Sequence, residues 1–159
     1  MAIDYVNKRG DKSADNYTAF LETTNPNLKV IFLDQLVTLS SSVTPKIMRK
    51  IDEDLKITGN RNPELGQRWY PLSIKINYQD AFPKAKNFTQ SIGRQKYILP
   101  VYQALVRNGM RSLAYQWFDE RKNFYHPLTA KKIRAIIFSS KGKELTVEEI
   151  LRVGVKIQK

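Results

Sequence analysis

Apolar residues recur along the chain at steps of three and four. Ile47, Ile51 and Leu55 are four apart, and Leu65, Trp69, Leu72 and Ile76 follow steps of four, three and four, a spacing that keeps side chains on one stripe of an α-helix. Ahead of these stripes stand three matching starts: Asn25-Pro26, Thr44-Pro45 and Asn62-Pro63. Each joins a side chain that can accept from a first-turn N–H to a proline whose fixed φ suits the first helical position, where its missing N–H is not needed. Asp80, before AFPKAKNFTQSIG, predicts a fourth start. The starts lie 19, 18 and 18 residues apart, so two helices make a unit of 36 to 37 residues, within the range of helical repeat proteins.

Farther along, helices are predicted from Tyr97 to Arg107, from Arg111 to Phe124 and from Pro127 onward. The final segment TVEEILRV sets Thr146 and Glu149 at capping-box spacing, with SSKGKE before it as a linker. Pro71 falls inside the third helix and predicts a kink there, whereas Pro83 belongs to a first turn. Nothing reads as a β-sheet. The pattern predicts an all-α chain of about seven or eight short helices stacked as antiparallel pairs, each pair covering the apolar faces of the next.

Composition narrows the class. At 159 residues and 42% apolar content the chain can bury a core of its own, and the absence of cysteine excludes disulfides and thiolate metal sites. No apolar stretch has the length of a signal-peptide core or a membrane span, so the sequence reads as a cytoplasmic protein. The excess of 27 Lys+Arg over 15 Asp+Glu gives a formal charge of +12 and points to an anionic partner, an acidic protein or a nucleic acid. The cations are scattered from Lys8 to Lys159, however, as on solvated helix faces.

Most catalytic chemistry is missing. His126, the one histidine, precedes Pro127, where its ordinary role is to start a helix. A catalytic zinc ion needs three protein ligands, commonly including two histidines around a glutamate, and no such set is present. No G-x-S-x-G elbow, cysteine nucleophile or glycine-rich phosphate loop occurs. The adjacent acids Asp52, Glu53 and Asp54, and Glu148 and Glu149, splay apart on a helix and read as solvated surface acids. One stretch remains, SIGRQKYILPVY, where Arg94 and Lys96 stand between Gly93 and an apolar run broken by Pro100. Cations just past a helix end complement its dipole and its last carbonyls, and these two fit that description.

The stretch RWYPLSIKINYQDAFPKAKNFTQSIGRQKYILPVYQAL resembles the carboxy-terminal helical domain of leukotriene A4 hydrolase and the aminopeptidase B group of zinc aminopeptidases. The resemblance rests on Arg68-Trp69, on Asp80-Ala81 with Pro83, on Gly93-Arg94-Gln95-Lys96-Tyr97 before Leu99-Pro100, and on His126-Pro127-Leu128-Thr129-Ala130. It extends from about Asn25 to Ile137 and implies an armadillo- or HEAT-like α-α superhelix. The implied organisation is an amino-terminal extension or first helix over 1–24, the helical domain over 25–138, and a linker with a terminal helix over 139–159.

In the family this domain packs in cis against a thermolysin-like catalytic domain and helps close the substrate cleft. The zinc ion and its H-E-x-x-H motif belong to that other domain, so the resemblance assigns no catalytic residue and no metal ligand to this chain. It does imply that Arg94 recognises the carboxylate of a peptide or lipid substrate, that Lys96 assists, and that Gln95 and Tyr97 support them. A guanidinium offers two parallel donors to a carboxylate, and an ammonium adds a mobile point charge. The chain departs from the family in lacking the catalytic domain, in continuing past the His-Pro helix and in its basicity. Those departures imply the alternative, a stand-alone helical-repeat scaffold or adaptor that docks an acidic protein or nucleic acid.

Overall fold

Four of the seven α-helices in the computed structural model, which describes residues 26–139, begin on a proline. They are α1 (Pro26–Thr38), α2 (Pro45–Leu55), α3 (Pro63–Ile76) and α7 (Pro127–Ile137). Between them lie α4 (Phe82–Ser91), α5 (Gln95–Arg107) and α6 (Arg111–Arg121). No strand occurs among the described residues, and none of their helices is long and apolar enough to cross a membrane.

Two of the predicted caps form, at Thr44 and Asn62, while Asn25 lies outside the described residues. Thr44 Oγ1 accepts from Ile47 N at 3.2 Å to start α2, and Asn62 Oδ1 accepts from Glu64 N at 3.1 Å to start α3. Thr44→Ala is expected to lower stability by about 1 kcal/mol, read as a shift in the urea midpoint at constant m-value. Two helices end in the left-handed region, α2 at Lys56 with φ 51° and α3 at Asn77 with φ 63°. Asparagine tolerates that conformation better than most residues, and its N–H closes onto the Ser73 and Ile74 carbonyls.

Several details differ from the sequence expectation. Asp80 lies in a single 3-10 turn, Gln79–Ala81, and its carboxylate accepts from Arg49 Nε at 3.4 Å. The fourth helix starts two residues later, with Pro83 in its first turn as expected. α6 stops at Arg121, and the chain turns so that Phe124 N bonds to Arg121 O at 2.9 Å. Pro71 sits inside α3 and Pro100 inside α5. The Thr146–Glu149 box, Glu148 and the segment 1–24 lie outside the described residues.

The helices fall into two compact units divided between Ala85 and Lys86. In the first, Arg68 Nε donates to Asp34 Oδ1 at 2.6 Å and Lys75 Nζ donates to Ser40 Oγ at 2.8 Å. The paired residues advance together, 34 and 35 positions apart, so α3 runs parallel to α1 about one repeat later. α2 is the antiparallel member: Lys29 Nζ, near the start of α1, donates to Leu55 O, at the end of α2, at 3.4 Å. The core enclosed this way contains Leu33 and Leu36 of α1, Ile47 and Ile51 of α2, and Leu65 and Trp69 of α3.

The second unit follows the same plan. Ile98, Val101 and Leu105 of α5 are buried with Trp117 and Phe118 of α6 and with Ile133 and Ile137 of α7. The Tyr102 and Tyr125 hydroxyls bond to each other at 3.0 Å, and the Tyr125 hydroxyl also donates to the Thr89 carbonyl. Gln95 Nε2 donates to Thr129 Oγ1 at 3.1 Å, which sets the first turns of α5 and α7 side by side. That adjacency of two helix beginnings shapes the candidate site.

Candidate functional site

Gly93 ends nothing by itself, because α4 has already stopped at Ser91. Arg94 is the residue before the first turn of α5, with extended backbone (φ −74°, ψ 125°), and Lys96 is the second residue of that turn. The two cations therefore stand at the start of α5, where the peptide dipoles present their positive end, three and five residues past the close of α4. A like charge at that position is unfavourable by about 0.3 to 1 kcal/mol. Neither α5 nor α7 has an acidic residue in its first turn to offset it.

Local packing holds both cations over one ring. The Arg94 Cζ lies 5.6 Å and the Lys96 Nζ 5.2 Å from the centroid of Tyr97, which is itself buried in the unit. A ring face attracts a cation by about 0.5 to 1 kcal/mol at exposed sites, enough to organise a long side chain without cancelling its charge. Arg94 and Lys96 are exposed, and among the described residues no carboxylate pairs with Arg94. A methyl group built at Gly93 meets no atom within 4 Å, so the approach to Arg94 is open on that side. Arg94 makes no side-chain cap, and the first N–H groups of an α-helix have no intrahelical acceptor. Guanidinium, ammonium and helix start together suit an anion.

Gln95 turns the other way, toward α7. Its Nε2 donates to the buried Thr129 hydroxyl, and its Oε1 accepts from Lys132 Nζ at 2.7 Å. Sequence reasoning placed Gln95 here as a support but passed over Thr129 and Lys132. The 36-residue unit read from the first helix starts does not lead to them, because α5 and α7 begin 32 residues apart, at Gln95 and Pro127.

The remaining candidates are structural. His126 starts α7, its Nδ1 accepting from Leu128 N at 3.2 Å. Trp69 is fully enclosed and donates to Thr58 Oγ1 at 2.9 Å. Arg68 joins α3 to α1 through Asp34 and also pairs with Glu64 at 3.0 Å. The run Asp52-Glu53-Asp54 requires a correction, since only Glu53 is exposed. Asp52 accepts from Thr58 N at 2.9 Å, from Thr58 Oγ1 at 2.6 Å and from Tyr78 Oη at 2.8 Å, while Asp54 pairs with Lys50 at 3.0 Å. Among the described residues no three His, Asp or Glu side chains come together to hold a metal ion, so a zinc ion does not fit there.

Comparison with known proteins yields a match of residues 24–137 to the family described as "Leukotriene A4 hydrolase, C-terminal". The chain is 34% identical to aminopeptidase B of Mus musculus over 111 residues, covering 68% of this chain and 17% of that protein. It is 26% identical to leucine aminopeptidase 2 of Aspergillus niger over 121 residues, covering 76% of this chain and 19% of the relative. The chain thus spans less than a fifth of the length of these relatives.

Proposed function

The chain belongs to the leukotriene A4 hydrolase carboxy-terminal domain family, and from that premise we propose that residues 25–138 form a wall of the substrate cleft of an aminopeptidase-type enzyme. In this reading Arg94 and Lys96 anchor the free carboxylate of a peptide or lipid substrate, and a catalytic domain in cis carries out the hydrolysis. In this reading zinc chemistry is supplied by that catalytic domain, and the described residues of this chain offer the ion no ligand set. What this chain contributes is binding and placement, which fix the distance between the substrate's anchored end and the bond that reacts.

The observation that carries the reading is the pair of cations at the wrong end of a helix dipole, both held over the Tyr97 ring. Local electrostatics disfavours a guanidinium without a carboxylate partner among the described residues at a helix start, as at Arg94, and departures from local rules concentrate at functional places. The Arg94 fork receives two carboxylate oxygens, and the Lys96 ammonium adds a second point charge that attracts the anion.

The test is a titration of the 159-residue chain with a tripeptide bearing a free carboxylate and with the same peptide amidated, followed by NMR chemical shifts. The free acid is expected to bind more tightly, and Arg94→Ala to weaken it by about tenfold, the lower end for a charge-assisted hydrogen bond because the site is exposed. Equal binding of acid and amide, or an acid affinity untouched by Arg94→Ala, contradicts the assignment.

A further inference from the structure

We propose that Lys132 is a third cation of the same anchor and that Gln95 is the residue that positions it. The inference rests on the reading of Arg94 and Lys96 as a carboxylate site and adds to it a residue from a different helix.

The geometry starts from Thr129, whose hydroxyl is buried at the first turn of α7. By accepting from Gln95 Nε2 it fixes which way the amide faces, leaving Oε1 directed at Lys132 Nζ 2.7 Å away. Gln95 is the first residue of α5 and turns toward α7, so the Lys132 ammonium is held at the same helix start from which Arg94 and Lys96 project. The nature of the partner matters more than the bond. Lys50, Lys86 and Lys122 each pair with a carboxylate, at 3.0, 2.8 and 3.2 Å, which neutralises their charge. Lys132 is held by a neutral amide, which orients the ammonium and leaves its charge whole. An ammonium carries three N–H donors, Gln95 takes one, and two remain for a ligand oxygen.

A carboxylate has more acceptor positions than one guanidinium fills. A third donor therefore has a place on the same ligand, delivered across the α5–α7 contact. A bridge that only joined the two helices would work as well with the charge removed, and that difference is measurable. The readout is the ratio of affinities for the free-acid tripeptide and its amide, which a purely structural role leaves unchanged. Lys132→Gln is expected to lower the ratio about fivefold, the upper end for an exposed ion pair, and Lys132→Arg to preserve it. Gln95→Glu keeps an acceptor facing Lys132, tightening the bridge while neutralising the ammonium, so it too is expected to lower the ratio. Lys132 and Gln95 are surface positions, and the thermal midpoint of each variant checks that the fold is intact.

A ratio unchanged in both Lys132→Gln and Gln95→Glu, with Arg94→Ala still lowering it, overturns the role of Lys132 and leaves the Arg94 assignment standing. A ratio that Arg94→Ala also fails to change overturns both.

Discussion

Replacing Asp52 by alanine is expected to lower the unfolding free energy by about 3 kcal/mol, far more than a surface carboxylate contributes. The residue lies in the last turn of α2, where the helix dipole disfavours a negative charge. It is kept there by three donors: the Thr58 N–H and hydroxyl, at 2.9 and 2.6 Å, and the Tyr78 hydroxyl at 2.8 Å. Thr58 in turn accepts from the indole N–H of Trp69 at 2.9 Å, so one carboxylate organises the loop after α2 and the face of α3 that meets it. Truncation leaves the hydroxyl of the buried Tyr78 without its acceptor, and the N–H and hydroxyl of Thr58 without theirs. Unmet buried polar groups cost about 1 to 3 kcal/mol each, discounted here because Asp52 is partly exposed. Asp52→Asn keeps one acceptor oxygen and is expected to lose about half as much. Urea unfolding of the three proteins at neutral pH decides the matter. A change within about 0.5 kcal/mol for Asp52→Ala would return this residue to the class of solvated acids.

Asp52 also marks where sequence reading stops. Three acids in a row say only that neighbouring side chains point in different directions on a helix, and the decisive donor, Tyr78, lies 26 residues on. Helix starts were legible because their chemistry is local: Thr44 and Asn62 cap the turns that Pro45 and Pro63 open. The repeat was legible for a related reason, since equal spacing of starts places the same face of every second helix against its predecessor, as Asp34 with Arg68 shows. The all-α class followed from both. At the candidate site, Arg94 and Lys96 stood out in the sequence, yet their place at a helix start did not. Gly93 marked the helix end before them, since α4 closes at Ser91, but α5 opens at Gln95, two residues ahead of Tyr97, and so takes in Lys96. Lys132 was hidden because its bond to Gln95 spans 37 residues and joins the first residue of α5 to the second turn of α7.

Raising the pH above 10 is expected to unfold the chain steeply, and tyrosines supply the driving force. Burial, the largest cause in each case, pushes the hydroxyls of Tyr70, Tyr78, Tyr102, Tyr115 and Tyr125 above the ordinary phenol value. Tyr78 is raised further by its bond to the Asp52 carboxylate, and Tyr102 by its neighbour Tyr125. The folded chain thus keeps protons that an unfolded chain releases near pH 10. Where the unfolded state binds fewer protons, stability falls as pH rises, so this contribution is complete below pH 10 and declines above it. Each such tyrosine removes about 1.4 kcal/mol per pH unit until its own folded value is reached. Tyr78 and Tyr102, the most strongly shifted, act over the widest range. Both keep their protons beyond the pH at which an unfolded chain has released them, and so steepen the loss of stability above pH 10. Tyrosinate absorbance and far-ultraviolet circular dichroism followed together across that interval are expected to change in one cooperative step. Phenols that ionise smoothly around pH 10 while helicity persists would place those hydroxyls in water. Tyr78→Phe separates the contributions: it removes the proton that Asp52 helps retain, so the alkaline slope becomes shallower even though a hydrogen bond is lost at neutral pH. A variant that is less stable at pH 7 and less sensitive to base is the signature of a buried phenol bonded to a carboxylate.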